Sequence, residues 1–249
     1  MIKNCFFKNN RAMILAYDHG FEHGLNDFNV FSQELENIFL LAKKGGFTGI
    51  VLHKGLAEIY QKRPFFWRVP LILKLNGKTP FLKEDCLPPL ECSVEYAHYL
   101  KAKGVGYTIY LGSKFESEMI REFGKIQEEA RRRNMVVVGW FYPATPEILS
   151  RENFTRDACR LALELGVDII KIKYPGSLEE LKNINKNINQ KILIAGGPAM
   201  KPKKFLAFLK KIMKLNFDGV VIGRNIFSQK NPWEMAKRVR EIIWSSGNN

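Results

Sequence analysis

Two lysines, Lys171 and Lys173, stand two residues apart in the stretch Gly166-Val167-Asp168-Ile169-Ile170-Lys171-Ile172-Lys173-Tyr174-Pro175-Gly176. The stretch opens on a helix-ending glycine, runs through β-branched residues and stops at a Pro-Gly turn. It therefore reads as a short strand with both lysines on one face. A lysine in a buried strand is costly unless it is neutral, paired or used. A solvent-facing edge strand is the other explanation, and spacing alone leaves both open. If the strand is buried, one such amine is a natural nucleophile for a carbonyl carbon. Burial and a neighbouring cation would lower its pKa, and Lys173 is that neighbour for Lys171.

Other residues that can do chemistry fall at the ends of apolar runs. Asp18-His19-Gly20 follows the first run, His53-Lys54-Gly55 the second and Lys74-Leu75-Asn76-Gly77-Lys78 the third. Gly112-Ser113 follows the fourth, Trp140 and Tyr142 end the fifth, Gly196-Gly197 follows the seventh and Gly223-Arg224 the eighth. Tyr142 can move a proton, and Asp18 can accept one or hold a substrate hydroxyl. The plain alternatives are a rim aromatic for Tyr142 and an Asx turn before Gly20 for Asp18. Glycine pairs let backbone N–H groups approach an anion, and Arg224 adds a forked cation; two ordinary βα turns are the alternative. His19 and His23 would face together on a helix, as metal ligands can. Gly20 and Gly24 argue against a helix there, and no third ligand is evident, so no metal site is expected.

These residues need a scaffold that brings strand ends together. The chain alternates strand and helix throughout. Expected strands are Ala12–Tyr17, Gly49–Leu52, Leu71–Leu75, Tyr107–Leu111, Val136–Phe141, Asp168–Ile172, Ile192–Ala195 and Gly219–Ile222. Expected helices are Val30–Lys44, Leu56–Gln61, Ser93–Lys103 (capped by Ser93), Lys114–Arg133, Asn153–Leu165, one from Leu178, a lysine-rich one after the seventh strand, and Pro232–Trp244. Eight β/α units with near-continuously apolar strands predict a (β/α)8 TIM barrel of the α/β class, one domain over residues 1–249. An open doubly wound sheet is the runner-up, disfavoured by the count of eight and the lack of an opening GxGxxG. In a barrel the active site lies at the carboxyl ends of the strands, with phosphate commonly bound after strands seven and eight. That position favours anion binding by Gly196, Gly197, Gly223 and Arg224 over plain turns.

The 249 residues are 46% hydrophobic and 26% charged, enough for a sizeable core. No apolar run approaches a membrane span, and Met1–Arg11 lacks a signal-peptide core. Cys5, Cys86, Cys92 and Cys159 form no CxxC pair and read as reduced thiols in a cytoplasmic protein. The net charge of +14 admits either nucleic acid or phosphorylated substrates. Its densest block, Lys201–Lys214, carries six lysines and no acid. Those lysines fall largely opposite Phe205, Leu206, Phe208, Leu209 and Ile212, as on a solvated helix face, and no nucleic-acid signature accompanies them.

Ala16-Tyr17-Asp18-His19-Gly20-Phe21-Glu22-His23-Gly24 resembles the first-strand signature of archaeal-type class I fructose-bisphosphate aldolases, Schiff-base aldolases of the DeoC/FbaB-like family. Lys74 to Thr79, Cys92 to Glu95, Gly106 to Tyr110, Asp168 to Tyr174, Gly196-Gly197-Pro198 and Gly223-Arg224-Asn225 are similar to that family in the same order. The resemblance implies a barrel carbon–carbon lyase that needs no metal or other cofactor and forms an imine through its strand-six lysine. That lysine maps by motif to Lys171 rather than Lys173. Tyr142 maps to the main proton carrier, Asp18 to an assisting and orienting carboxylate, and Trp140 to a wall of the sugar site. Gly197, Gly223 and Arg224 map to phosphate binding. The implied partner is a phosphorylated sugar, most directly fructose 1,6-bisphosphate, handled by a homo-oligomer. The chain departs from the family at Ala144-Thr145, where an arginine and a glycine are usual, and at Ala195 and Ala199 around the Gly-Gly-Pro turn. A transaldolase-type enzyme that makes an amino-deoxy heptulosonate shares the Asp/Tyr/Lys set, but Glu22-His23 sides with the aldolase. A reading from a different class is an inactive barrel that binds a phosphosugar or nucleic acid; the full set of imine-chemistry residues tells against it.

Overall fold

Each short apolar run has one set of alternate side chains facing inward and the other facing helices, so almost nothing in it meets water. β1 (Ala12–Ala16), β2 (Gly49–Leu52), β3 (Leu71–Lys74), β4 (Gly104–Leu111), β5 (Val136–Pro143), β6 (Ile169–Ile172), β7 (Lys191–Ala195) and β8 (Gly219–Ile222) pair in chain order, all parallel. β8 then pairs with β1, with Met13 opposite Val220, and closes the barrel. Closure leaves Lys171 no solvent-facing edge, and it excludes the open doubly wound alternative. The structure is a computed structural model that describes residues 5–64, 68–81, 84–185 and 190–245. The first four residues of the Met1–Arg11 start lie outside these. Among the described residues no helix is long and apolar enough to cross a membrane.

The inward set forms its own cluster: Ala12, Ile14 and Ala16 from β1, Val51, Ile72, then Val136, Val138 and Trp140 from β5, and Ile169, Leu193 and Val221. Phe6 fills the amino end of the barrel, against the glycines that begin β2 and β4; a Cβ on Gly49 would come within 2.8 Å of its ring. The outward set packs under the helices. Two aspartates that precede strands fix their register. Asp168 accepts from Val137 N (2.9 Å) and from Arg131 Nη1 (2.9 Å), tying β6 to β5 and to the helix below. Asp218 does the same for β7 and β8, accepting from Ile192 N (2.9 Å) and Lys191 Nζ (2.6 Å).

The helices are α1 (His19–His23), α2 (Val30–Gln33), α3 (Leu35–Lys44), α4 (Lys54–Gln61), α5 (Val94–Tyr99), α6 (Glu116–Arg132), α7 (Pro146–Leu149), α8 (Phe154–Glu164), α9 (Leu178–Asn185), α10 (Pro202–Met213), α11 (Arg224–Phe227) and α12 (Pro232–Ser245). Several differ from expectation. The turn α1 forms despite Gly20, and Gly24 ends it at φ 64°. The expected Val30–Lys44 helix breaks at Glu34, which is extended. In a continuous helix the Ser32 carbonyl would accept from an N–H four residues on. Here it accepts from the Tyr17 hydroxyl at 2.5 Å. The Ser93 cap is present, its Oγ accepting from Tyr96 N at 3.0 Å, but α5 stops at Tyr99 because Lys101 turns left-handed at φ 56°. β4 starts three residues earlier than expected, at Gly104.

Candidate active site

A cavity of about 690 Å³ opens at the carboxyl ends of the strands. Asp18, Trp140, Tyr142, Lys171, Lys173, Gly196, Gly197, Gly223 and Arg224, all nine residues expected at a site, line it.

Lys171 stands on β6 pointing inward, 6% exposed, opposite Trp140 on β5 and Leu193 on β7. Its Nζ lies 4.8 Å from the centre of the Trp140 indole. Burial pushes its pKa down; Asp18 and Glu22 oppose the shift, and Lys74 and Lys173 add to it. The amine is therefore easier to present unprotonated than an ordinary lysine. Trp140 is 2% exposed and rises through the barrel centre. It fits there because β4 carries Gly106 beside it; a Cβ at that position would come within 2.2 Å of Cζ3.

Lys173 lies one residue beyond the end of β6, and the residue is exposed. Its head turns back into the mouth, with Nζ 4.6 Å over the Tyr142 ring. The neighbour foreseen for Lys171 is therefore only part of the answer. Lys74, at the end of β3, is 1% exposed, and its Nζ lies 5.4 Å from the same indole. Its ammonium donates to Asn76 O and, at 3.1 Å, to Asn76 Oδ1. Asn76 in turn donates to Thr108 O and accepts from Thr108 N on β4. Among the cations Lys74 acts on Lys171 more strongly than Lys173 does. Lys74 stood among the strand-end residues able to do chemistry, but its place beside Lys171 was not foreseen, because a lysine that ends a strand is ordinarily at the surface.

Asp18 precedes α1 and is 7% exposed, but its side chain makes no capping bond, so the Asx-turn reading does not hold. Burial alone would raise its pKa. Lys171, His19, His53 and Lys74 outweigh that and hold the carboxyl well below the usual range, so it is ionised. His53 Nε2 lies 3.1 Å from Asp18 O and its Nδ1 2.9 Å from Glu91 Oε1, with Phe21 stacked on its ring at 4.8 Å. His19 Nδ1 lies 3.6 Å from Asp18 Oδ1. Burial lowers the His19 pKa to about 4, with Lys171, Arg224 and His23 adding to the fall and Asp18 opposing it. His19 is thus a neutral imidazole near pH 7. The His19 and His23 rings do face each other, centroids 6.1 Å apart, because α1 exists.

Tyr142, at the end of β5, pairs in register with Tyr110 on β4. Burial, with Glu22, Asp18 and Tyr110, raises its pKa well above the ordinary phenol value. At rest it is a phenol and a proton donor.

The β7 and β8 turns are locked together by Asn225, which is fully buried. Its Nδ2 donates to Gly196 O and Pro198 O at 2.8 Å each, and its Oδ1 accepts from Met200 N at 2.8 Å. Gly197 has φ 70° and nothing within 4 Å of a would-be Cβ, leaving its backbone open toward the cavity. Gly223 leaves room for His19, whose Cε1 a Cβ would approach to 2.5 Å. Arg224 begins α11 and pairs with Asp27 at 3.1 Å. Lys204 of α10, one of the lysines read as a solvated face, also lines the cavity. Among the lining residues five lysines and arginines face two carboxylates, so the cavity suits an anion.

A strand-borne amine under a basic, glycine-edged mouth is the arrangement of an imine-forming sugar-phosphate aldolase. The model of the DeoC/LacD family aldolases matches residues 12–229. The chain belongs to the DeoC/LacD aldolase family. A class 1 fructose-bisphosphate aldolase of Thermoproteus tenax is 37% identical over 245 residues, covering 96% of this chain and 92% of that protein. A Halobacterium salinarum protein of the same name is 31% identical over 242 residues, covering 95% and 92%. A solved archaeal fructose-1,6-bisphosphate aldolase, whose catalytic Lys is covalently bound to the carbinolamine intermediate of the substrate, superposes with a TM-score of 0.89. It is 35% identical, over 98% of this chain and 99% of that one.

Proposed function

We propose that this protein is a metal-independent class I aldolase. It cleaves fructose 1,6-bisphosphate to dihydroxyacetone phosphate and glyceraldehyde 3-phosphate, and catalyses the reverse condensation. The observation that carries the reading is Lys171: buried on an inward strand position, depressed in pKa, and at the floor of a basic cavity.

Lys171 Nζ attacks the ketose carbonyl at C2, and the carbonyl oxygen takes up a proton to give a carbinolamine. Loss of water leaves a protonated imine, an electron sink conjugated to C3. The ionised Asp18 beside Lys171 favours that cation and orients the substrate hydroxyls. A base removes the C4 hydroxyl proton, the C3–C4 bond breaks, and its electron pair moves onto C3 as the enamine forms and the aldehyde departs. Tyr142 is the proton carrier of this cycle: its phenol protonates the hydroxyl that leaves the carbinolamine as water, the resulting phenolate takes the C4 hydroxyl proton, and the regenerated phenol delivers that proton to C3. Water then hydrolyses the imine and frees Lys171. The Trp140 indole walls the sugar chain and keeps water from the imine. Its buried Nε1 has no hydrogen-bond partner among the described residues, and so can serve a substrate oxygen. One phosphate is received by the Gly196-Gly197 and Gly223-Arg224 turns, whose open backbone and guanidinium suit it.

The reading includes a cytoplasmic enzyme of glycolysis and gluconeogenesis, one domain over residues 1–249, acting as a homo-oligomer without nucleic acid. The four cysteines, all free, support the reducing compartment. The test is cleavage of fructose 1,6-bisphosphate after exhaustive treatment with a chelator. Undiminished release of both triose phosphates is expected. An intact, folded protein that cleaves nothing, or that loses activity to the chelator, would overturn it.

A further inference from the structure

We propose that His53 and Glu91 are positioning residues for Asp18. The pair holds the main chain that carries Asp18 and so aims its carboxylate toward Lys171. The assignment rests on the aldolase reading above and deepens it.

Neither residue lines the cavity. His53 follows β2, caps the start of α4 and is buried. Its Nε2 lies 3.1 Å from Asp18 O. Its Nδ1 lies 2.9 Å from Glu91 Oε1, and neither of those two atoms has a hydrogen-bond partner elsewhere among the described residues. A buried imidazole with an oxygen acceptor at each nitrogen is held from both sides. A largely buried ionisable pair is weak evidence for added stability. What this one supplies is a fixed position.

Both ends of the link are anchored. Glu91 N donates to Leu75 O at 2.8 Å, just past β3, and the neighbouring Leu90 pairs with Asn76, the residue that accepts from the Lys74 ammonium. Glu91 is thus tied to the barrel although it lies in the long loop after β3. At the other end Phe21 of α1 stacks on the His53 ring, with centroids 4.8 Å apart and planes 29° apart. Gly77 leaves room for that stack: a Cβ there would come within 2.9 Å of Phe21 Cδ1 and 3.4 Å of His53 Cε1. His53 therefore grips the β1–α1 turn at two points, the Asp18 carbonyl and the Phe21 ring.

The turn needs such a grip. Asp18 has φ −107° and ψ 2°, between the strand and helix regions, and its side chain makes no capping bond that would fix the turn from within. In the proposed mechanism the Asp18 carboxylate favours the imine cation on Lys171, an attraction that weakens as the two move apart. A pair that holds the Asp18 main chain sets that separation.

The test is a double-mutant cycle on the single-turnover rate of borohydride trapping with dihydroxyacetone phosphate. His53→Phe should slow trapping at least roughly tenfold, within the roughly 100-fold that a misplaced reacting group costs, with the half-saturating ligand concentration little changed. In an Asp18→Asn protein the same substitution should slow it by less than about twofold, because the group it acts through is gone. His53→Gln, whose amide N–H can reach the Asp18 carbonyl, should recover most of the rate. Glu91→Ala should behave as His53→Phe does, and Glu91→Gln, which keeps an acceptor oxygen for Nδ1, should recover most of the loss. If His53→Phe does not fold, the two Glu91 variants decide by the same cycle. Equal fold-losses in both backgrounds, or trapping at the wild-type rate by folded variants, would overturn the positioning role and leave the aldolase reading intact. A wild-type protein that traps no dihydroxyacetone phosphate would overturn the aldolase reading and the role with it.

Discussion

Gly106 on β4 lies against the indole of Trp140 on β5 so closely that a Cβ there would fall 2.3 Å from Cη2. The contact is why a residue as large as tryptophan can stand at the barrel centre beneath Lys171. Gly106→Ala should force the indole off its rotamer, at about 1–3 kcal/mol of stability. The expected outcome is a lowered melting temperature together with slower imine formation, because the ring that packs beside the amine is displaced. A variant with unchanged melting and unchanged trapping rate would show that the indole is free to move.

Burial pushes the Lys74 pKa down too, with Glu22, Asp18 and Glu91 opposing, and in its ammonium form Lys74 adds to the depression of Lys171 more than Lys173 does. Replacement of Lys74 by methionine keeps the packing volume and removes the charge. With that charge gone, the Lys171 pKa rises, so the pH at which half-maximal imine formation is reached should move upward. Lys173→Met should move it less. The pH dependence of single-turnover borohydride trapping reads both, and a larger shift for Lys173→Met would reverse the ranking.

His19 makes stability depend on pH in a defined direction. Its folded pKa, about 4, lies below the usual 6.5, so between those values the unfolded chain holds a proton that the folded chain does not. Stability should therefore rise with pH across that window, by up to about 3 kcal/mol. Asp18, whose folded pKa is also depressed, contributes in the same direction at lower pH: its stabilisation is present above the unfolded carboxylate value and lost as pH falls. Urea unfolding at pH 4 to 7 should show the rise in wild type and a clearly smaller one in His19→Gln. The same slope in both would remove His19 as its source.

Much of this arrangement was readable beforehand, for physical reasons that also explain what was not. Lys171 announced itself because a cation between Ile170 and Ile172 contradicts its surroundings, and the eight-unit alternation left only the barrel interior to hold it. The place of the Gly196-Gly197 and Gly223-Arg224 turns at the cavity followed from strand count and from their residue types. The role of Lys74 was hidden, since its ammonium is buried against Asn76, which the Thr108 backbone holds in place, a tertiary fact. Helix α1 was missed because Gly20 and Gly24 look like breakers, whereas Gly24 is the left-handed stop and Gly20 is tolerated in a single turn. The break at Glu34 has no glycine or proline to mark it, and it leaves the Ser32 carbonyl to the Tyr17 hydroxyl. Lys204 is exposed like the other lysines of α10, and only the fold shows that it also lines the cavity.

In the proposed mechanism Tyr142 divides the reaction into separable halves. Tyr142→Phe removes the proton carrier and leaves the amine, so dihydroxyacetone phosphate should still be trapped on the protein. Cleavage of the bisphosphate should fall by roughly 10²–10⁴-fold, the range for loss of a positioned acid–base group. Cleavage retained within a few-fold of wild type would assign proton transfer to another group.

The most direct measurement is the site of the covalent adduct. Wild type, Lys171→Met and Lys173→Met are each treated with borohydride in the presence of dihydroxyacetone phosphate, and the peptides are read by mass. The account predicts a single reduced adduct on Lys171 in wild type and in Lys173→Met, and none in a folded Lys171→Met protein. An adduct that persists without Lys171, carried instead by Lys173 or Lys74, would contradict it.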